Sequence, residues 1–165
     1  MRHVLSILVN NHAGVLSRVS GLFSRRGYNI DSLSVGTTED PNFSRITISA
    51  QGDDRVIEQI RKQVEKLYDV LEVSELSPEH AVFREHCFIK VSAVASARPE
   101  IFSVVDIFRA NIVDVSAENL TIEMTGDQGK ITAFIELMEP YGIVEIVRTG
   151  LTGITRGAKN NGDAR

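Results

Sequence analysis

Asn10-Asn11-His12-Ala13-Gly14-Val15-Leu16 joins an apolar run, Val4 to Val9, to a stripe of helical period that starts at Val15. A helix N-terminus carries unpaired backbone N–H groups and the positive end of the helix dipole, and a glycine there lets a ligand come close to the backbone. The chemistry this predicts is binding of a carboxylate. The dipole contributes ~0.3 to 1 kcal/mol, up to ~2 when partly buried, and each charge-assisted hydrogen bond adds roughly 1.5 to 3 kcal/mol. Asn11 could bond an α-amino or carboxylate group, and an apolar side chain could rest on the neighbouring Val and Leu. A plainer reading of the same residues has Asn11 capping the helix and Gly14 easing a tight turn.

Other chemistry-bearing groups are weaker. Thr125-Gly126-Asp127-Gln128-Gly129-Lys130-Ile131-Thr132 resembles a phosphate loop, but two residues separate the glycines instead of four, and Ile131 stands where Mg²⁺ needs Ser or Thr. His80 and His86, with Glu79, Glu85 and Cys87 nearby, match no metal-ligand spacing; a linker and a buried thiol account for them. Asp53-Asp54 reads as a helix cap. Arg18, Arg25, Arg26, Lys62 and Lys66 make no basic patch, since Glu58, Glu65 and Asp69 interleave with them. No catalytic residue and no metal ligand is assigned.

The elements that position these groups follow from period. The chain has 165 residues, 42% hydrophobic and 24% charged, which is globular and leaves room for two small domains. Arg2 to Val9 reads as a strand. Val15, Leu16, Val19, Leu22 and Phe23 trace one helix face, closed by Gly27. Tyr28 to Gly36 is a strand whose apolar phase changes between Ile30 and Leu33, which predicts a bulge. Phe43 to Ala50 returns as a strand. Val56, Ile57, Ile60, Val64 and Leu67 mark a second helix, and Val70 to Leu76 a fourth strand. The order is βαββαβ, the ferredoxin-like arrangement.

Ser77-Pro78-Glu79-His80 reads as a linker, after which the order repeats. Glu85 to Ala95 is a strand, Pro99 opens a helix, Asn111 to Ser116 and Leu120 to Thr125 form a hairpin, Lys130 to Met138 is a helix, and Ile143 to Arg148 a strand. The expected class is α+β with two tandem ferredoxin-like βαββαβ units. Residues 1–76 form the first, 77–84 a linker, 85–157 the second and 158–165 a flexible tail. Units this small leave open sheet edges, so a homodimer is expected.

Composition narrows the function classes. With 18 basic and 22 acidic residues the net charge is -4, and neither half of the chain is basic, so no field favours nucleic acid or an anionic membrane. No apolar run approaches the ~18 residues of a spanning helix, Val4 to Val9 is too short for a secretory core, and one cysteine forms no internal disulfide. A cytoplasmic protein is expected.

The segment Asn11 to Val35 then carries a resemblance. Its Asn-His-Ala-Gly-Val-Leu-Ser-Arg-Val at Asn11 to Val19, and Gly-Leu-Phe-Ser-Arg-Arg-Gly-Tyr-Asn-Ile-Asp-Ser-Leu-Ser-Val at Gly21 to Val35, closely resemble the acetolactate synthase (acetohydroxyacid synthase) small-subunit family, a branch of the ACT-domain sensors of amino-acid metabolism. The likeness continues through Asp40-Pro41, Ser44 to Ile48, Val56 to Leu76, Arg84-Glu85, Phe108 to Val115, Thr125 to Lys130 and Arg148 to Gly157. It implies that the first unit is an ACT domain and that the chain is a non-catalytic regulatory subunit. Such a subunit activates a catalytic large subunit and confers feedback inhibition by valine or another branched-chain amino acid. Carried over, the effector contacts are Asn11, Gly14, Val15 and Leu16, with Asn29 and Ile30 from the second protomer of the dimer. Thiamine diphosphate, Mg²⁺ and FAD are implied in the catalytic partner and no cofactor in this chain, which has no Gly-Asp-Gly motif. His12 and Ala13 replace other residues common in the loop. An alternative is an ACT-type sensor regulating another enzyme or transcription; the latter needs a helix-turn-helix, which neither end of the sequence displays.

Overall fold

The computed structural model describes residues 2–157, so the expected tail at 158–165 lies outside the described residues. The chain forms two compact units, one running to Phe83 and resuming at Leu151, the other spanning Arg84–Gly150.

In the first unit, β1 (Arg2–Asn10), α1 (Val15–Arg25), β2 (Ile30–Thr37), β3 (Phe43–Gln51), α2 (Asp54–Val64) and β4 (Val70–Glu75) follow the predicted βαββαβ order. The sheet order is β2-β3-β1-β4, with every neighbouring pair antiparallel. Strand alternation sends Leu5, Ile7 and Val9 of β1 and Ile46, Ile48 and Ala50 of β3 toward the helices. They meet Val15, Val19, Leu22 and Phe23 of α1 and Ile57, Ile60 and Val64 of α2. Each such side chain contributes about 1.5 to 3 kcal/mol on full burial, which fixes the register of α1 against the sheet. The phase change read in the second strand appears as a register shift between Ile30 and Ser32.

The second unit repeats the pattern. Its elements are β5 (Ala81–Ser92), α3 (Arg98–Ile107), β6 (Asn111–Val115), β7 (Asn119–Gly126), α4 (Gln128–Met138) and β8 (Ile143–Arg148), in sheet order β6-β7-β5-β8. Cys87, Ile89, Val91, Ile122, Ile131 and Phe134 lie in its core. The fold class is α+β with two ferredoxin-like units, as the sequence predicts.

Two boundaries differ from the sequence reading of a linker at 77–84 and a second unit reaching residue 157. β5 starts at Ala81, and a further strand, β9 (Thr152–Thr155), groups with the first unit. The physical reason lies on the helix-free face of the first sheet, where Val4 and Leu76 are buried together with Ala81 and Leu151. Ser34 Oγ donates to Leu151 O at 3.1 Å, and Leu151 N–H donates to Ser32 Oγ at 3.3 Å. Arg156 N–H donates to His80 O at 2.8 Å. The chain therefore returns as a strap over a face that would otherwise expose apolar surface.

Candidate effector seat at the start of α1

Two neighbouring turns pin the segment between β1 and α1. Asn10 N–H donates to Asp69 O at 2.9 Å, and Asn11 N–H to Asn42 O at 2.7 Å. The Asn11 side chain donates through Nδ2 to Pro41 O at 2.9 Å. Asn11 therefore ties the loop to the β2–β3 turn rather than capping the helix, which removes the plainer reading of that residue.

The N-cap of α1 is Gly14, at φ 89° and ψ -13°, with no side-chain hydrogen bond to the first turn. This left-handed conformation costs an L-residue roughly 1 to 2 kcal/mol, so the position selects glycine. α2 and α4 show the contrast: Asp53 accepts from Val56 N–H and Asp127 from Lys130 N–H, each at 2.8 Å. The first turn of α1 also holds no acidic residue of its own.

The expected contacts separate by what they offer. Val15 is 3% exposed and packs into the core, so its contribution toward a ligand is its backbone. Leu16 is 40% exposed. Asn29 donates through Nδ2 to Asp31 Oδ1 at 3.0 Å, and Ile30 is partly buried against the core. Within one chain the two groups lie apart. Ile30 is level with Ala50 and His3, whereas Asn10 is level with Phe43. His3 and Asn10 are seven steps apart along β1, roughly 23 Å at ~3.3 Å per residue.

The sequence reading takes Asp69 only as an interleaved surface charge, and the structure gives it a place beside the seat. Its Oδ1 lies 2.9 Å from His12 Nε2 and its Oδ2 lies 2.7 Å from Arg18 Nη2. Nothing in the spacing of residues 12, 18 and 69 announces this cluster; only the fold assembles it.

Other sequence candidates take structural roles. Lys130 folds back to donate through Nζ to Thr125 O at 3.3 Å, and a Cβ on Gly126 would come within 2.7 Å of the Lys130 stem. The former phosphate-loop candidate is thus an α4 N-cap with a lysine laid over its glycine. Cys87 is buried, and desolvation pushes its thiol pKa up. Glu85 accepts from Arg148 Nε and Nη2, both at 2.7 Å, in a fork that raises the Arg148 pKa further. Among the described residues no group of three or more His, Cys, Asp or Glu side chains could hold a metal, and no helix is long and apolar enough to cross a membrane.

Comparison with known proteins covers nearly the whole chain. A family profile described as the AHAS small subunit-like ACT domain matches residues 5–72, and one described as the small subunit of acetolactate synthase matches residues 84–157. The chain is 50% identical to the acetolactate synthase small subunit of Haemophilus influenzae over 161 residues, covering 97% of this chain and 99% of that protein. It is 47% identical to the corresponding Mycobacterium bovis subunit over 163 residues, covering 99% and 97%. The crystal structure of the acetolactate synthase small subunit from Thermotoga maritima matches with a TM-score of 0.90 at 44% identity, covering 96% of this chain and 99% of that one.

Proposed function

The chain belongs to the acetolactate synthase small-subunit family, and from that premise we propose that it is a regulatory subunit without catalytic activity of its own. It activates the catalytic large subunit and makes it sensitive to feedback by valine or another branched-chain amino acid. Thiamine diphosphate, Mg²⁺ and FAD belong to the catalytic partner. The effector's carboxylate sits on the first-turn N–H groups of α1, reached past Gly14 and flanked by Asn11, Val15 and Leu16.

The observation that carries this reading is the α1 N-terminus, opened by a left-handed glycine, uncapped by any side chain and held at the end of a loop pinned from both sides. Asn29 and Ile30 stand at the other end of the same sheet. If they touch the same effector, a second copy of the chain supplies them, so the seat is complete in a homodimer. Occupancy shifts that dimer between two arrangements, and the catalytic subunit responds to whichever is populated. A coupling of ~1 to 3 kcal/mol gives a 5- to 150-fold effect.

Gly14→Asp tests the seat in a reconstituted holoenzyme. A side-chain carboxylate occupies the position of the ligand's own, and the left-handed backbone cost of roughly 1 to 2 kcal/mol is small enough for the unit to fold. The expected result is an enzyme still activated by the subunit and no longer inhibited by valine. Full valine sensitivity in the variant would place the effector elsewhere.

A further inference from the structure

Asp69, in the connection between α2 and β4, is 6% exposed. A carboxylate withdrawn from water is costly unless it is paired, and every bond described for this one runs to the segment that opens α1. Its carbonyl accepts from Asn10 at the end of β1, Oδ1 contacts His12 in the loop, and Oδ2 contacts Arg18 in the helix. Arg18 stands one turn beyond Gly14. A Cβ built on Gly14 would lie 3.9 Å from Arg18 Cζ and from both Nη atoms, so the guanidinium lies over the glycine. A guanidinium offers five N–H donors in a rigid fork. Asp69 engages Nη2, and Nε and Nη1 have no partner among the described residues.

We propose that Arg18 is the counter-ion of the effector's carboxylate and that Asp69 is the positioning residue that holds its guanidinium over Gly14. The inference rests on the start of α1 being the effector seat. It adds a specificity: the ligand is a free amino acid whose carboxylate is ionised, and a carboxamide of the same shape is rejected. Backbone N–H groups donate to either kind of oxygen and the helix dipole adds only a modest preference for the anion, whereas a guanidinium strongly favours it. Burial of Asp69 gives its own carboxylate a fixed place, so that one edge of the fork is anchored and the rest faces outward.

Calorimetric titration of valine and of valinamide into the full-length protein tests this. The wild-type chain is expected to bind valine at least about 10-fold more tightly than valinamide. Arg18→Gln should weaken valine by about 10- to 100-fold, the worth of one charge-assisted hydrogen bond, and leave valinamide unchanged, reducing the discrimination to what the helix dipole and its N–H groups supply. Arg18→Lys should fall between. Asp69→Asn should also weaken valine, and the double variant Arg18→Gln/Asp69→Asn should bind no worse than Arg18→Gln alone, because Asp69 acts through Arg18. An Arg18→Gln chain that binds valine within twofold of wild type overturns the counter-ion, with the seat itself intact. Losses that simply add in the double variant overturn the positioning role. A wild-type chain that binds no branched-chain amino acid overturns the seat on which both depend. Arg18 is half exposed and His12 still pairs with Asp69 in its variants, so these are expected to fold, which circular dichroism checks. Should circular dichroism find Asp69→Asn unfolded, the two Arg18 variants decide the matter.

Discussion

Glu58 shows how one side chain on an exposed helix face sets a measurable pH response. It accepts from Arg61 Nε at 2.9 Å and Nη2 at 2.8 Å, and pairs with Lys62 Nζ at 3.2 Å. The hydrogen bonds from Arg61 and then Lys62 hold its pKa down at about 2, against an ordinary 4.5. A carboxylate whose folded pKa is depressed stabilises the folded state fully above its unfolded pKa, and that contribution fades as pH falls through the folded value. The difference in urea midpoint between wild type and Glu58→Gln should therefore be constant above pH 5, shrink between about 4.5 and 2, and vanish below. The pairs are exposed and screened, so high salt should reduce the same difference. A difference independent of pH would mean that Glu58 acts through packing or helix propensity instead of charge.

β9 is the element that periodicity does not reveal, and it sets a packing constraint of its own. A Cβ on Gly153 would lie 2.7 Å from Phe83 Cδ1 and Cε1 and 2.8 Å from Leu76 Cδ1. Gly153→Ala should cost about 1 to 3 kcal/mol through overpacking, seen as a lower urea midpoint for the first unit; an unchanged midpoint would mean that the strap is loosely held. Four residues are too few to show an alternation, and the strand's hold depends on Ser32, Ser34, Leu76 and Ala81, all distant in sequence. By contrast, α1 and α2 were legible because Val15, Val19, Leu22 and Phe23, and Ile57, Ile60 and Val64, repeat at helical spacing and are the residues that pack. The bulge in β2 was legible too, as a change of apolar phase. At the candidate seat, Gly14 could be read from its place between strand and helix. Asn11 was taken for a possible cap, since its bond to Pro41 depends on where the β2–β3 turn lies. Arg18 and Asp69 were noticed only as charges, because the pair is made by tertiary structure.

At the scale of the molecule, the return of the chain to the first unit makes the two units unequal when cut. Residues 84–150 close on themselves. Glu85 grips Arg148 at the two ends of the segment, Thr149 N–H donates to His86 O at 3.0 Å, and the core from Cys87 to Ile143 lies wholly inside. This piece should unfold cooperatively by calorimetry when produced alone, and a broad, non-cooperative transition would show that it needs the rest of the chain. A chain ending at Ser77 lacks Ala81, Phe83 and Leu151, so Val4 and Leu76 lose their cover and the Ser32 and Ser34 hydroxyls lose their partners in the strap. It should be less stable and bind a hydrophobic dye, while its helix-side core remains complete. In a reconstituted assay this shortened subunit should retain part of the activation and lose the valine response, because Ser32 and Ser34 share β2 with Ile30, next to Asn29, and their strand is then free to shift. Restoring the strap separates the two effects. Residues 1–83 joined by a flexible linker to 151–157 should recover stability, and if β2 must be clamped for the effector to be sensed, they should recover valine binding as well. Recovery of stability without valine binding would put the missing determinant in residues 84–150.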